Sequence, residues 1–180
     1  MLTTRRLHLV PMTLQLAEAE RAGATTLTAA LRADVPPDWP PDFYDDEDLD
    51  RMRRLLEDPA NEGWALYYLI QRAPRPAVVG VAGFSGRPSH DRAVEIGYSV
   101  MPPYRRQGLA TEAVAALLDR AFQDANVDTV IAETLPHLPA SIGVLMRNGF
   151  RLASETGRGG TLRYALTRAA YEAGASGRSS

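Results

Sequence analysis

The segment from residue 95 to residue 113 carries the clearest chemical pattern in the chain. It reads EIGYSVMPPYRRQGLATEA, which is a strand pattern, a proline turn, a basic loop and a strongly helical run. The N-terminus of a helix presents unpaired N–H groups and about half a positive charge, so it attracts phosphate groups. Gly108 and Ala110 let a ligand approach the backbone, while Arg105 and Arg106 add positive charge. The segment therefore predicts a pyrophosphate site, although an ordinary strand-to-helix connection with two solvated arginines has the same spacing.

The composition excludes several kinds of chemistry. The 180 residues include 20 basic and 22 acidic side chains; all the basic ones are Arg, since Lys and Cys are absent. Without Cys there is no thiol nucleophile, disulfide or thiolate metal site. Without Lys there is no Schiff base and no Walker-type phosphate loop. The net charge of −2 and the pI of 5.9 argue against a dedicated nucleic-acid-binding protein.

The histidines and the apolar runs indicate neither a metal centre nor a membrane span. His8, His90 and His137 are scattered and lack the H-E-x-x-H spacing of a zinc site, so no metal is predicted. No apolar run reaches the roughly 18 residues of a membrane helix. The first residues, MLTTRR, lack the apolar stretch of a signal peptide. We therefore expect a cytoplasmic protein with no membrane partner.

Periodicity and breaker residues divide the chain into the helices and strands of one α+β domain. Predicted strands cover residues 6–10, 64–71, 78–84, 94–101, 129–134, 150–153 and 161–166. Predicted helices cover residues 14–22, 26–33, the stretch between the acidic run 45–50 and Pro59, the stretch from Tyr104 to the break at 126–128, and 139–148. The proline-rich segment 35–41 cannot be helical. The domain is predicted to span residues 1–168, and residues 169–180 are predicted to form a flexible tail.

Four short motifs follow one another along the chain. TRRL occupies 4–7, IGY occupies 96–98 with Pro102 after it, RRQGLA occupies 105–110, and S-x-x-V-L-x-x-x-G-F occupies 141–150. The third motif matches the coenzyme A pyrophosphate loop, Gln/Arg-x-x-Gly-x-Gly/Ala, of the GNAT superfamily of acyl-CoA N-acyltransferases. The other motifs resemble, in that family, the opening of the ribosomal-protein N-terminal acetyltransferases, the fourth strand with its turn, and a later helix with its exit. The resemblance covers residues 1–168 in the expected order.

This resemblance implies a fold and a reaction. The fold would be a mixed, mostly antiparallel central sheet flanked by helices. A V-shaped splay would separate the family's fourth and fifth strands, here the predicted strands 94–101 and 129–134. The reaction would be acetyl transfer from acetyl-CoA by direct attack of an amine, either a protein N-terminus or a small molecule. A homodimer is compatible with the resemblance, and a module that binds acyl-CoA without catalysis is the alternative.

The resemblance also assigns coenzyme contacts. Backbone groups of Val100 and Met101 would bond the pantetheine arm and the acetyl carbonyl, and Ser141 would lie near the coenzyme sulfur. Backbone N–H groups of the loop and of the first helical turn would hold the pyrophosphate. These groups belong to Arg105, Arg106, Gln107, Gly108, Leu109, Ala110 and Thr111.

The resemblance and the residues suggest catalytic groups. Glu95, early on the strand that meets the acetyl group, is the candidate base, directly or through a water; the alternative is a structural or salt-bridging carboxylate. The family often has a Tyr acid four residues before the Gly-Phe exit, where this chain has Leu145. Ser141 or water would then protonate the leaving thiolate. His137 is a further candidate, and the alternative for it is an ordinary loop histidine.

Acceptor recognition is expected outside the coenzyme half of the chain. The candidates are Asp38, Trp39 and Phe43 in the proline-rich loop and Arg158 in a glycine loop near the C-terminus. Trp39 is equally compatible with a core plug beneath a rigid loop. The acidic residues of this region could attract a cationic amine or form a solvated cluster; they are Asp38, Asp42, Asp45 and Asp46.

Overall fold

The computed structural model describes residues 1–155 and 158–176, which form an eight-stranded sheet with helices on both faces. The strands are β1 (Leu2–Thr3), β2 (Leu7–Pro11), β3 (Leu66–Gln71), β4 (Ala77–Phe84), β5 (Ala93–Val100), β6 (Thr129–Thr134), β7 (Arg151–Ser154) and β8 (Leu162–Thr167). The helices are α1 (Leu14–Arg21), α2 (Ala24–Leu31), α3 (Asp46–Leu56), α4 (Leu109–Phe122), α5 (Pro139–Arg147) and α6 (Arg168–Ser176). The strand order across the sheet is β1-β2-β3-β4-β5-β6-β8-β7.

The sheet opens between its two central strands. Neighbouring strands are antiparallel except β5 and β6, which run parallel and end their pairing at Ile96 and Ala132. Beyond that point β5 stays paired with β4 as far as Val100, whereas β6 stays paired with β8 as far as Thr134. The two strands therefore diverge into a V-shaped cleft. The predicted α+β fold, with a mostly antiparallel sheet and a splay at this place, is confirmed.

The hydrophobic core lies on both faces of the sheet. One face packs against α4 and α5, with Ile96, Leu117 and Leu145 among its buried side chains. The opposite face of β2 to β4 packs against α1 to α3, around Tyr68 and Val81. Among the described residues, this second core contains no side chain from β5 to β8. The cleft strands are therefore less covered on the second face, which leaves room for a ligand there.

Most element boundaries agree with the predictions to within two residues, and β6 begins and ends at the predicted positions. α4 begins at Leu109, five residues after the predicted start, and β1 was not predicted. The tail prediction is wrong for residues 169–176, which belong to α6. Tyr171 stacks on Phe122 with ring centroids 4.6 Å apart, and the Arg168 guanidinium donates to the Phe122 carbonyl at 2.7 Å. These contacts dock α6 on the end of α4. In the part of the chain that the structure describes, no helix is both long and apolar enough to cross a membrane.

Candidate active site

The loop between β5 and α4 presents a row of free backbone N–H groups. The first hydrogen bond of α4 joins the Glu112 amide to the Gly108 carbonyl at 3.1 Å. Within residues 1–155 and 158–176, no acceptor is hydrogen-bonded to the amides from Arg106 to Thr111. Arg106 and Gly108 have φ values of +60° and +78°, and such left-handed residues turn successive N–H groups toward one concave side. The predicted phosphate loop therefore has the geometry of an anion site.

Arg105 does not have the role predicted for it, which was to offer its backbone N–H to the pyrophosphate. Its amide donates to the Pro102 carbonyl at 3.2 Å, so this amide is not one of the free donors. Its side chain donates from Nε to the Val100 carbonyl at 2.8 Å and from Nη2 to the Asp42 carboxylate at 2.6 Å. Arg105 thus ties the end of β5 to the proline-rich loop. Arg106 is exposed and has no side-chain partner in the described ranges, so its charge is available to an anion.

A network that the sequence did not reveal holds the phosphate loop against the N-terminal segment. The Glu112 carboxylate accepts from the Thr4 hydroxyl at 2.6 Å, from the Arg6 amide at 2.8 Å and from Arg6 Nε at 2.7 Å. Arg6 Nη1 also donates to the Gln107 carbonyl at 2.7 Å. Burial acts to raise the pKa of Glu112, but these hydrogen bonds and the guanidinium charge hold it below its ordinary value. The TRRL motif marked Arg6, but nothing in the spacing indicated a partner so distant in the chain.

The backbone groups that face the cleft belong to Tyr98 and Val100. The Glu95 carbonyl and the Met101 amide both bond to the β4 side of the sheet, at 3.0 and 2.8 Å. Backbone groups point alternately to the two sides of a strand, so odd-numbered residues of β5 face β4 and even-numbered ones face β6. Beyond Ile96, where β6 has diverged, the even-numbered groups point into the gap.

Met101 cannot supply the backbone donor predicted for it. Its amide already bonds to the Val79 carbonyl, and its own carbonyl accepts from the Tyr104 amide at 2.9 Å. The reason is register, because Met101 continues the set of β5 residues that pair with β4. Val100, the other predicted contact, keeps its amide on the cleft side, while its carbonyl accepts from Arg105.

The Tyr98 side chain reaches from β5 to α5. Its hydroxyl oxygen lies 3.0 Å from both the carbonyl oxygen and Oγ of Ser141. Burial raises the pKa of Tyr98 to about 12, so the phenol stays protonated at neutral pH. Leu145, where the resembled family often has a Tyr acid, is fully buried in the core, and His137 is exposed before α5. The structure therefore joins Ser141 to a hydroxyl that the sequence did not indicate as a catalytic group.

Glu95 lies at the closed end of the cleft. It pairs in register with Ile131, one residue before the last β5–β6 pair. Its neighbour Ile96 points into the α4 core, so the half-buried Glu95 side chain projects from the opposite, more open face. In the described ranges, no ion pair or side-chain hydrogen bond engages its carboxylate. Glu133, two positions after Ile131 on the same face, is instead paired with Arg163 at 2.9 Å.

Trp39 belongs to a half-buried polar cluster rather than to an open binding surface. Its indole N–H donates to the Glu20 carboxylate at 2.7 Å. The hydroxyls of Tyr44 and Tyr68 donate to the same carboxylate at 3.0 and 2.6 Å. Burial raises the pKa of Glu20, against the lowering effect of these hydrogen bonds. Of the two interpretations of Trp39, the cluster favours a side chain that packs beneath the loop. The predicted contact of Trp39 with substrate gains no support.

Three other candidates remain on the predicted acceptor side, Asp38, Phe43 and Arg158, together with the neighbouring Asp42. Asp38 is exposed, and the Phe43 side chain is 74% exposed. Asp42 pairs with Arg105 and so brings the proline-rich loop to the end of β5. The side chain of Arg158 lies outside the described part of the structure, and its proposed contact with substrate stays a prediction.

Comparisons with known proteins concern the family and the fold. A family model described as an acetyltransferase (GNAT) domain matches residues 6–151. The uncharacterised N-acetyltransferase p20 of Bacillus licheniformis is 28% identical over 109 residues, and this match spans only 61% of each chain. A GnaT-family acetyltransferase from Bordetella pertussis superposes with a TM-score of 0.64 at 23% identity, covering 92% of this chain and 98% of that one. The ribosomal-protein acetyltransferase RimL, solved with coenzyme A, superposes with a TM-score of 0.62 at 20% identity, covering 91% and 95%.

Proposed function

The chain belongs to the GNAT acetyltransferase family, and on that basis we propose that it is an acetyl-CoA-dependent N-acetyltransferase in which an amine attacks the thioester directly. The observation that carries the proposal is the divergence of β5 and β6 after Ile96, next to the free amides that begin α4. Main-chain donors beside a narrow cleft suit a long polar coenzyme that carries phosphates. Acetyl-CoA supplies an acetyl group already activated as a thioester. The protein therefore needs no nucleophile of its own, in keeping with its lack of Cys.

The donors of the phosphate loop would hold the pyrophosphate of the coenzyme. The amides from Arg106 to Thr111 supply the hydrogen bonds, and the exposed Arg106 guanidinium supplies charge. Leu109 contributes only its amide, because its side chain is buried in the core. The pantetheine arm would lie along β5, where the backbone groups of Tyr98 and Val100 face the gap. A Cβ added to Gly97 would meet no atom within 4 Å, so the strand has open space beside it here.

Glu95 would accept the proton that the attacking amine loses. An amine is largely protonated at neutral pH, so it must lose a proton to become a nucleophile. Glu95 projects from the more open face at the closed end of the cleft and has no ion-pair partner among the described residues. A free carboxylate there can take the proton directly or through one water.

Ser141, oriented by Tyr98, would pass a proton to the departing sulfur and take one back from a water in the cleft, so that no alkoxide remains. The Tyr98 hydroxyl can donate to the Ser141 carbonyl, and either hydroxyl can donate in the contact between Tyr98 and Ser141 Oγ. When the phenol proton is directed at Ser141 Oγ, the serine proton is free to point into the cleft. Because its pKa is raised to about 12, Tyr98 acts as a donor that stays protonated, rather than as an acid that ionises. This pair would perform the task for which Leu145 is unsuited.

The test is release of free thiol from acetyl-CoA with a panel of N-terminal peptides and small amines. We expect release that depends on the amine and, for Glu95→Gln, a kcat about 10²- to 10⁴-fold lower at unchanged coenzyme affinity. Glu57→Gln, which removes the same charge at the exposed end of α3, should keep wild-type kcat. Tight coenzyme binding without amine-dependent release would indicate a non-catalytic acyl-CoA-binding module and overturn the proposal.

A further inference from the structure

We propose that Phe43 selects the acceptor, and that Asp42 and Arg105 hold it at the mouth of the cleft. The proposal rests on the N-acetyltransferase function proposed above. It adds a preference for amines whose neighbouring substituent is apolar. Two separate features carry it, the anchoring of the loop and the conformation of Phe43 itself.

The anchoring runs through one guanidinium. Arg105 donates from Nε to the Val100 carbonyl at the end of β5 and from Nη2 to the Asp42 carboxylate. Val100 is also a residue whose amide faces the cleft. Phe43 follows Asp42 directly, so its backbone is held two hydrogen bonds away from the strand along which the coenzyme would lie. The Arg105–Asp42 ion pair is exposed, so it adds little to the free energy of unfolding. Its role in this proposal is to position the loop beside β5.

The conformation of Phe43 is unusual for an aromatic residue. The Tyr44 amide donates to the Pro41 carbonyl at 3.3 Å, which closes a turn with Phe43 in its third position. Phe43 has a φ of +59°, and this position with positive φ normally favours Gly or Asn. Burial offers no compensation, because the side chain is 74% exposed. Strained residues cluster at sites that bind ligands, and we take the exposed, strained ring as one that contacts a molecule outside the chain.

The chemistry of that contact follows from the ring and its neighbours. An exposed phenyl group can pack on an apolar substituent and can also face an ammonium group. Asp38, Asp45 and Asp46 are exposed nearby in the chain and favour the approach of a cation. The acceptor class that fits is an amine with an apolar group on the adjacent carbon, such as a peptide that begins with a large apolar residue.

The test compares Phe43→Asn and Phe43→Tyr with four acceptors: the amides of phenylalanine, leucine, serine and glycine. Phe43→Asn should raise KM about tenfold for the two apolar amides and leave the glycine amide unchanged. The kcat and the coenzyme A affinity should stay at wild-type values. Phe43→Tyr keeps an aromatic ring at this position, so this variant should show the wild-type preference for the two apolar amides. Asn tolerates positive φ, so Phe43→Asn should melt no lower than the wild type.

Asp42→Ala tests the anchoring, because it removes the acceptor for Arg105 Nη2, and it should produce the same selective KM increase. The double variant with Phe43→Asn should show no further loss, because both changes remove one contact. Transfer without apolar preference, or a KM unaffected by Phe43→Asn, would overturn this proposal and leave the enzyme intact. Dissociation of a dimer by Phe43→Asn, with KM unchanged, would assign the ring to a second copy and also overturn it. If amines bind to the coenzyme A complex with the apolar preference but no acetyl group is transferred, only the proposed enzymatic function is refuted.

Discussion

Replacing Gly108 with alanine should weaken coenzyme A binding about 10- to 100-fold. Gly108 precedes α4 with a φ of +78°, and a left-handed conformation costs a non-glycine residue about 1–2 kcal/mol. A Cβ at this position would also lie 3.4 Å from Nη2 of Arg6. Relaxing the backbone out of this region turns the Leu109 amide, which follows Gly108, away from the concave side. Each hydrogen bond to a charged group is worth about 1.5–3 kcal/mol, so loss of one gives the stated range.

Gly63→Ala is the matched control for this variant. Gly63 has nearly the same φ, +76°, but an added Cβ would make only ordinary contacts, 3.6 Å to Tyr67 and 3.8 Å to Arg120. Both variants should lower Tm by a few degrees through the same backbone strain. Calorimetric titration with coenzyme A should detect weaker binding in Gly108→Ala alone. Equal losses of Tm with equal coenzyme affinities would refute the assignment of the phosphate loop.

Three further predictions concern stability and catalysis. The folded pKa of Glu112 lies below its ordinary 4.5, so its contribution is present above about pH 4.5 and disappears as pH falls through the folded value. Urea titrations should therefore show Glu112→Gln less stable than the wild type at neutral pH, with the two converging in acid. Tyr171→Ala should lower Tm and expose α6 to proteases, whereas Tyr171→Phe should keep most of the stability because the ring still stacks on Phe122. Tyr98→Phe should lower kcat about tenfold at unchanged coenzyme affinity; an unchanged kcat would show that Ser141 needs no orienting partner.

The polar cluster around Glu20 explains why the proline-rich loop can present Phe43. Three donors converge on one carboxylate: the Trp39 indole and the Tyr44 hydroxyl from this loop, and the Tyr68 hydroxyl from β3. The ring centroids of Tyr68 and Tyr44 lie 6.2 and 6.3 Å from the ring centroid of Trp39. The loop is therefore fixed at Trp39 and Tyr44, on both sides of the exposed ring.

Most of the fold could be predicted because its signals are local. β6 is a short run rich in β-branched residues and is bounded by breakers, so its ends were predicted correctly. The predicted helix start at residue 14 is also correct, because Thr13 before it caps α1: its hydroxyl accepts from the Leu16 amide at 3.2 Å. α6 was not predicted because its sequence is rich in small residues. The helix is held in place by the packing of its Tyr171 ring on Phe122 of α4. Contacts of that kind leave no periodic signal in the helix itself.

The sequence was sufficient to predict which backbone amides form the candidate site. It was not sufficient to predict which side chains contact one another there. The amides from Arg106 to Thr111 follow from a glycine-containing loop before a helix, which is a pattern written in consecutive residues. The misassigned Met101 shows the limit, since one residue of register decides whether an amide faces β4 or the cleft.

The sequence by itself predicted most of the elements, the candidate phosphate loop and the family resemblance, and it excluded thiol and lysine chemistry. Only the tertiary structure decided that Arg105 binds Asp42, that Arg6 binds Glu112, and that Tyr98 meets Ser141. The physical reason is distance along the chain. Backbone conformation and periodicity depend on neighbours a few residues apart, whereas an ion pair or hydroxyl contact depends on where the packing of separate elements places two side chains.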